Sequence, residues 1–172
     1  MLGRKKTKTA MSFSDREERI YRFLKSCPIG VLSTVTADGD PHGAVIYFTI
    51  DKDFAVSFVT KGQTRKYDNL KHRSKVTLTV FEPQTQTTAQ IIGQAEEIKD
   101  SYEINQVAGA ILAASMKTSD GGLPPISKLS AGEFVAFTIK PDQIRMAVFG
   151  RPDPGDYSDM FETIESFELK DT

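Results

Sequence analysis

The sequence predicts a mainly β protein with helices, an α+β chain whose six or seven short antiparallel strands close into a small barrel. Three observations lead there. Runs rich in Val, Ile, Thr and Phe alternate in polarity from Ile29 to Lys99 and again after Gly132. Turn residues such as Asp38-Gly39-Asp40-Pro41 interrupt those runs at short intervals. Apolar residues at helical spacing fall in the stretches that flank the strands, the arrangement of a barrel with helices at its ends.

Ser14 opens a capping-box pattern, SDRE, in which Ser14 and Glu17 satisfy each other's amides, so a helix is expected to begin there. Ile20, Phe23, Leu24 and Cys27 follow at i, i+3, i+4, i+7, forming one apolar stripe, and Pro28 ends the helix. Cys27 at the buried end of that stripe reads as a structural thiol rather than a reactive one. IGVLSTVT, HGAVIYFTI and FAVSFVT then read as a three-stranded meander, with Gly39 supplying the positive φ of its first turn and Asp51-Lys52-Asp53 forming the second. A short helix after Thr64 leads to KVTLTVFE and to TQTTAQIIGQAEEIK, where Gly93 predicts a bulge or bend. Ser101 to Ser115 is expected as a helix capped by Ser101, with Ile104, Val107, Ala108, Ile111 and Leu112 as its apolar face. The Gly-, Pro- and Ser-rich segment after it reads as a loop or lid, with Thr118 to Ser130 able to close over a groove. FVAFTIKP and QIRMAVFG predict two closing strands with a turn at Pro141-Asp142. After Gly150 come seven acids against Arg151 and Lys170, a tail expected to be solvated or packed on a partner through Phe161, Ile164 and Phe167 at helical spacing.

This organisation divides the chain into a basic lead-in (1–12), one barrel domain (13–150) and an acidic tail (151–172). A length of 172 residues suffices for one proper core, and a formal charge of −1 argues against a general nucleic-acid partner. No apolar run approaches the ~20 residues of a membrane-spanning helix, and MLGRKKTKTA has no apolar core behind its charges, so neither a membrane anchor nor a secretory signal is expected. A single cysteine excludes an internal disulfide and suggests a reducing, cytoplasmic setting.

The stretch KGQTRKYDNL carries the candidate site. Thr64 is a good N-cap, yet Arg65 and Lys66 place two cations in the first turn, where the helix end is already positive. A bound phosphate would turn both charges to advantage, since charge-assisted hydrogen bonds contribute about 1.5–3 kcal/mol each, against a dipole cost of about 0.3–1 kcal/mol. The alternative is that both side chains point into solvent and the small cost is tolerated.

FVTKGQTRKYDNLKHRSKVTLTVFEP, with GVLSTVTADGDPHGAVIYFTID before it, resembles the pyridoxamine 5′-phosphate oxidase-like FMN-binding split barrels over Ile20 to about Glu97. The resemblance implies a split barrel, a homodimer with cofactor at its interface, and an FMN-dependent oxidoreductase acting on a small molecule, with NADH or NADPH as possible electron donors. It assigns Thr64, Arg65 and Lys66 to the FMN phosphate and Val59 and Thr60 to the strand end beside it. Ala44, Val45, Ile46 and Tyr47 fall on the strand along the ring edge, and Gln90 or Thr88 near a flavin-touching glutamine. The oxidases proper end in a Trp-containing segment and an Arg-x-His pair, whereas this chain has no Trp and no His after His72. Oxidation of vitamin B6 phosphates is therefore not the expected activity. Haem or a deazaflavin in the same groove, or a non-catalytic flavin-binding stress or redox protein, are the alternatives.

Other residues carry less. His42 reads as a half-exposed turn residue, with a donor role near the ring as its alternative, and His72 as a cation suited to a helix C-terminus. Two histidines and one cysteine give no metal-ligand pattern. No catalytic residue is assigned, since neither a nucleophile elbow nor a Ser-His-Asp arrangement is present. Glu96-Glu97 and Asp51-Asp53 read as solvated acids.

Overall fold

The computed structural model describes residues 13–118, 134–149 and 162–168. Helix α1 (Phe13–Ser26) leads into strands β1 (Ile29–Val35), β2 (Pro41–Ile50) and β3 (Val56–Lys61). Helix α2 (Arg65–His72), strands β4 (Lys75–Glu82) and β5 (Thr87–Ile98), helix α3 (Ser101–Thr118), and strands β6 (Phe134–Val148) and β7 (Glu162–Glu168) complete the order. The sheet runs β3-β2-β1-β4-β5-β6-β7, every neighbour antiparallel, and an added β3–β6 pairing closes the first six strands into a barrel.

Strict alternation builds the interior. Leu32, Phe48, Phe58, Leu78, Ile91 and Phe137 point inward and are fully buried, each such side chain contributing roughly 1.5–3 kcal/mol. Phe58 and Phe137, on the two strands that form the seam, stack with ring centroids 5.6 Å apart. Helix α1 fills one end through Ile20 and Leu24, with Tyr21 edge-on to Phe54 at 6.2 Å. Helix α2 fills the other end through Leu70 and Tyr67. Helix α3 lies outside, where Val107 and Ile111 cover Ala136 and Ile98, with Tyr47 and Val59 packed against the same cluster.

Gly93 sits at a register shift opposite Pro141, and a Cβ there would lie 2.2 Å from the Lys140 carbonyl oxygen, so the expected bulge requires glycine. Gly39 has the expected positive φ of 98° in the first hairpin.

Several expectations are corrected. Pro141-Asp142 is no turn: β6 runs unbroken through it. One edge of β6 pairs with β3 along Phe134–Ile139 and with β7 along Gln143–Val148, and Pro141 falls between, where a missing N–H breaks no ladder bond. Residues 162–168 form a strand on β6 instead of following the helical spacing read from Phe161, Ile164 and Phe167. Helix α3 is capped by Asp100, whose Oδ1 accepts from Glu103 N at 2.8 Å, not by Ser101. Helix α1 already includes Phe13, so Ser14 lies within its first turn instead of preceding it. The lead-in 1–12 and most of the expected lid at Thr118 to Ser130 lie outside the described residues.

Candidate functional site

Strands β2 and β3 part company. Their pairing covers Phe48–Ile50 against Val56–Phe58, and beyond it Pro41–Tyr47 are paired on the β1 side while Val59–Lys61 are paired on the β6 side. Among the described residues, the β2 edge along Ala44–Tyr47 that faces β3 therefore carries backbone groups with no ladder partner. An unpaired strand edge is a row of donors and acceptors available to a ligand. The β3 side of this split runs through Val59 and Thr60 directly into the start of α2.

The start of α2 is held from both directions. Thr64 is the N-cap, its Oγ1 accepting from Tyr67 N at 3.3 Å and donating to the Lys61 carbonyl at 3.0 Å. Buried Thr60 approaches it, Oγ1 to Oγ1, at 3.3 Å. Further along, buried Asn69 donates from Nδ2 to Thr34 Oγ1 at 2.9 Å, and Thr34 Oγ1 lies 3.4 Å from His42 Nδ1. Lys71 pairs with Glu97 at 3.0 Å, a contact that raises its pKa through the hydrogen bond and the charge of Glu97. Helix α2 is thus fixed to β1, β3 and β5, and its first turn has a defined place.

The two cations differ. Arg65 is exposed, whereas Lys66 is half-buried with its ammonium 5.9 Å from the Phe58 ring centroid. Loss of solvent around Lys66 lowers its pKa from the ordinary lysine value. Among the described residues neither cation has a carboxylate at ion-pair distance, while Lys71, Lys75, Lys140 and Arg22 each do. Lys66 is drawn back against the barrel, while Arg65 is open to solvent. The first turn of α2 thus brings together the Thr64 hydroxyl, the positive end of a helix and two cations that, among the described residues, have no carboxylate partner.

The expected site residues fall into groups. Thr60, Thr64, Arg65 and Lys66 come together at α2, and Ala44–Tyr47 line the split. The side chains of Tyr47 and Val59 pack under α3, and that of Ile46 is in the core. Thr88 and Gln90 share the outer face of β5 but lie away from α2: Val45, Val31, Thr79, Gln90 and Arg145 form one row across β2, β1, β4, β5 and β6. Among the described residues no helix covers this face, on which Val45 is 65% exposed, Phe81 59% and Val31 42%. His42 is a half-buried strand residue beside Thr34, and His72 is the exposed last residue of α2.

Sequence reasoning missed a cavity of about 590 Å³ where α1, β2 and α3 meet, lined in part by Leu24, Phe48, Thr49, Ile50, Ala110 and Ala113. Three segments far apart in the chain build it, so no local pattern announces it. Among the described residues no cluster of three or more His, Cys, Asp or Glu could hold a metal, and no helix is long and apolar enough to cross a membrane.

A six-stranded antiparallel barrel, split between β2 and β3, is the architecture of the split β-barrels. The family described as pyridoxamine 5′-phosphate oxidase matches residues 17–147, and the chain belongs to that oxidase-like family. Among solved structures, General Stress Protein 26 from Bacillus anthracis shares 21% identity, with 90% of this chain and 98% of that chain covered and a TM-score of 0.62. A heme binding protein from Mycobacterium smegmatis shares 17%, covering 93% of this chain but 60% of its own, with a TM-score of 0.62. PhzG from Burkholderia lata, in complex with tetrahydrophenazine-1-carboxylic acid, shares 16% over 98% of each chain, with a TM-score of 0.57. At these identities the likeness is one of fold. No curated protein matches the chain.

Proposed function

We propose that this protein binds FMN in the split between β2 and β3 and serves as an oxidoreductase for a small molecule. The observation that carries the reading is the continuity of the unpaired Ala44–Tyr47 edge with the cationic helix start at Thr64, Arg65 and Lys66. A flavin nucleotide has the matching pair of features, a planar edge of donors and acceptors and a terminal phosphate. Arg65 and Lys66 would neutralise the phosphate, Thr60 and Thr64 would add hydroxyls, and the β2 backbone would orient the ring. Bound there, FMN would supply hydride-transfer chemistry, with NADH or NADPH as candidate donors.

The uncovered outer face supports a homodimer. Val31, Val45 and Phe81 make it too apolar to be left in water comfortably, and a second subunit seated there would bring Thr88 and Gln90 towards its neighbour's cofactor. Amide or hydroxyl donors in that position suit the negative charge of a reduced ring.

The test is the visible spectrum of purified protein, as isolated and during titration with FMN, for wild type and for Arg65→Ala/Lys66→Ala. Saturable FMN binding lost in the double variant is expected. A Soret band in the isolated protein, or a deazaflavin spectrum, would replace FMN with the corresponding alternative. Flavin binding without turnover by NADH, NADPH or candidate substrates would reduce the protein to a flavin carrier.

A further inference from the structure

We infer that the cavity between α1, β2 and α3 is a substrate pocket for a neutral, largely apolar small molecule, an inference that rests on the reading of β2 as the flavin strand. Phe48, Thr49 and Ile50 line the cavity and follow directly on Ala44–Tyr47, so its occupant lies at the continuation of the ring-binding edge. About 590 Å³ is a small-molecule volume, enough for one or two fused rings.

The lining decides the ligand class. Leu24, Phe48 and Ile50 are hydrocarbon, and Ala110, Ala113 and Ala114 bring only methyl groups from α3. Among the described residues the one charged group is Lys25 at the exposed rim, whose ammonium gives one hydrogen bond to the neutral Tyr21 Oη at 3.2 Å and lies 5.2 Å from the Tyr21 ring centroid. Ser26 is engaged, donating from Oγ to the Phe23 carbonyl at 2.8 Å. Helix α1 ends at Ser26, and the partial negative charge of a helix C-terminus opposes an anion beside it. The α3 residues lie nine or more positions beyond Ser101, too far for that helix's positive end to help. A phosphate placed here would lose water while meeting a single rim cation and no amide cluster, against two cations and a helix start at α2. The lining therefore favours a neutral occupant over a doubly charged vitamin B6 phosphate.

The test uses the full chain without added FMN, followed by protein-observed NMR and titration calorimetry. Menadione serves as the neutral bicyclic probe and pyridoxal 5′-phosphate as the charged one. Menadione is expected to bind saturably and to shift the Ala110–Ala114 resonances. Ala113→Phe should weaken it at least tenfold at an unchanged melting temperature, because that position is exposed and the helix itself can carry the larger ring. Should Ala113→Phe fail to fold, Ala110→Leu fills the same space. Lys25→Gln should alter menadione affinity less than twofold. Absence of menadione binding, binding insensitive to both filling variants, or pyridoxal 5′-phosphate binding abolished by Lys25→Gln would overturn the assignment. Repeating the menadione titration in Arg65→Ala/Lys66→Ala separates the two readings: retained menadione binding with FMN binding lost supports both. Menadione binding by a wild type that takes no FMN would overturn the substrate role and the flavin reading, while the ligand class of the cavity is measured independently.

Discussion

Asn69 donates a 2.9 Å hydrogen bond to Thr34 across 35 residues of sequence, and both side chains are almost completely buried, at 4% and 2% exposure. The contact fixes the helix that begins with Arg65 against the end of β1. Removing one partner of a buried hydrogen bond costs about 1–3 kcal/mol. Asn69→Ala is therefore expected to lower the melting temperature by several degrees, and also to weaken FMN binding through misplacement of α2. Calorimetry and FMN titration check the two effects, and unchanged affinity would show that α2 needs no such tie.

Lys66 supplies a pH dependence. Burial lowers its pKa, so the unfolded chain holds that proton more tightly than the folded one. The resulting destabilisation is present below the folded-state pKa and is relieved as pH rises towards the ordinary lysine value. A bound phosphate favours the charged ammonium and raises its pKa again. Between the free and bound values, FMN binding should take up a proton, and affinity should fall as pH rises. Titration calorimetry in buffers of different ionisation enthalpy measures this uptake. Lys66→Met should abolish it, and Arg65→Met should not.

Gly93→Ala would press a methyl group against the Lys140 carbonyl at 2.2 Å, where backbone on both strands must move. Overpacking of this kind costs roughly 1–3 kcal/mol or more. A clear drop in the urea midpoint is expected, and a neutral result would mean that the bulge tolerates a side chain.

Val45→Asp tests the proposed homodimer. At 65% exposure the substitution leaves the monomer core untouched, while it buries a charge wherever a second subunit covers this face. Sedimentation velocity should show the wild type as a dimer and the variant shifted towards monomer by at least tenfold in dissociation constant. A dimer of unchanged affinity would place the interface elsewhere.

Much of the barrel was legible because its signals are local. Alternation marks β1 to β5, Gly39 marks its turn, and Thr64 with Tyr67 marks the cap of α2. Legibility failed where distant partners decide the outcome. Pro141 reads as a turn in isolation, yet it falls in a gap between two neighbouring strands on one edge of β6. The acidic stretch at 162–168 has helical spacing, but β6 offers it an open edge. Asp100 competes with Ser101 for a cap that either residue type could make. At the site, the cation pair was visible in the sequence, but the burial of Lys66 depends on Phe58, and the split depends on how β2 and β3 diverge.

The plugged barrel has a consequence for divergence. Helices α1 and α2 fill its ends, and phenylalanines with branched aliphatic residues fill its lumen, so no ligand passes through the middle. The interior serves as a packed chassis, which leaves the exterior as the place for a ligand. A lineage can replace the outer residues almost freely while the inner alternation keeps the shape. Chains that share as little as 16–21% of their residues with this one therefore keep its architecture.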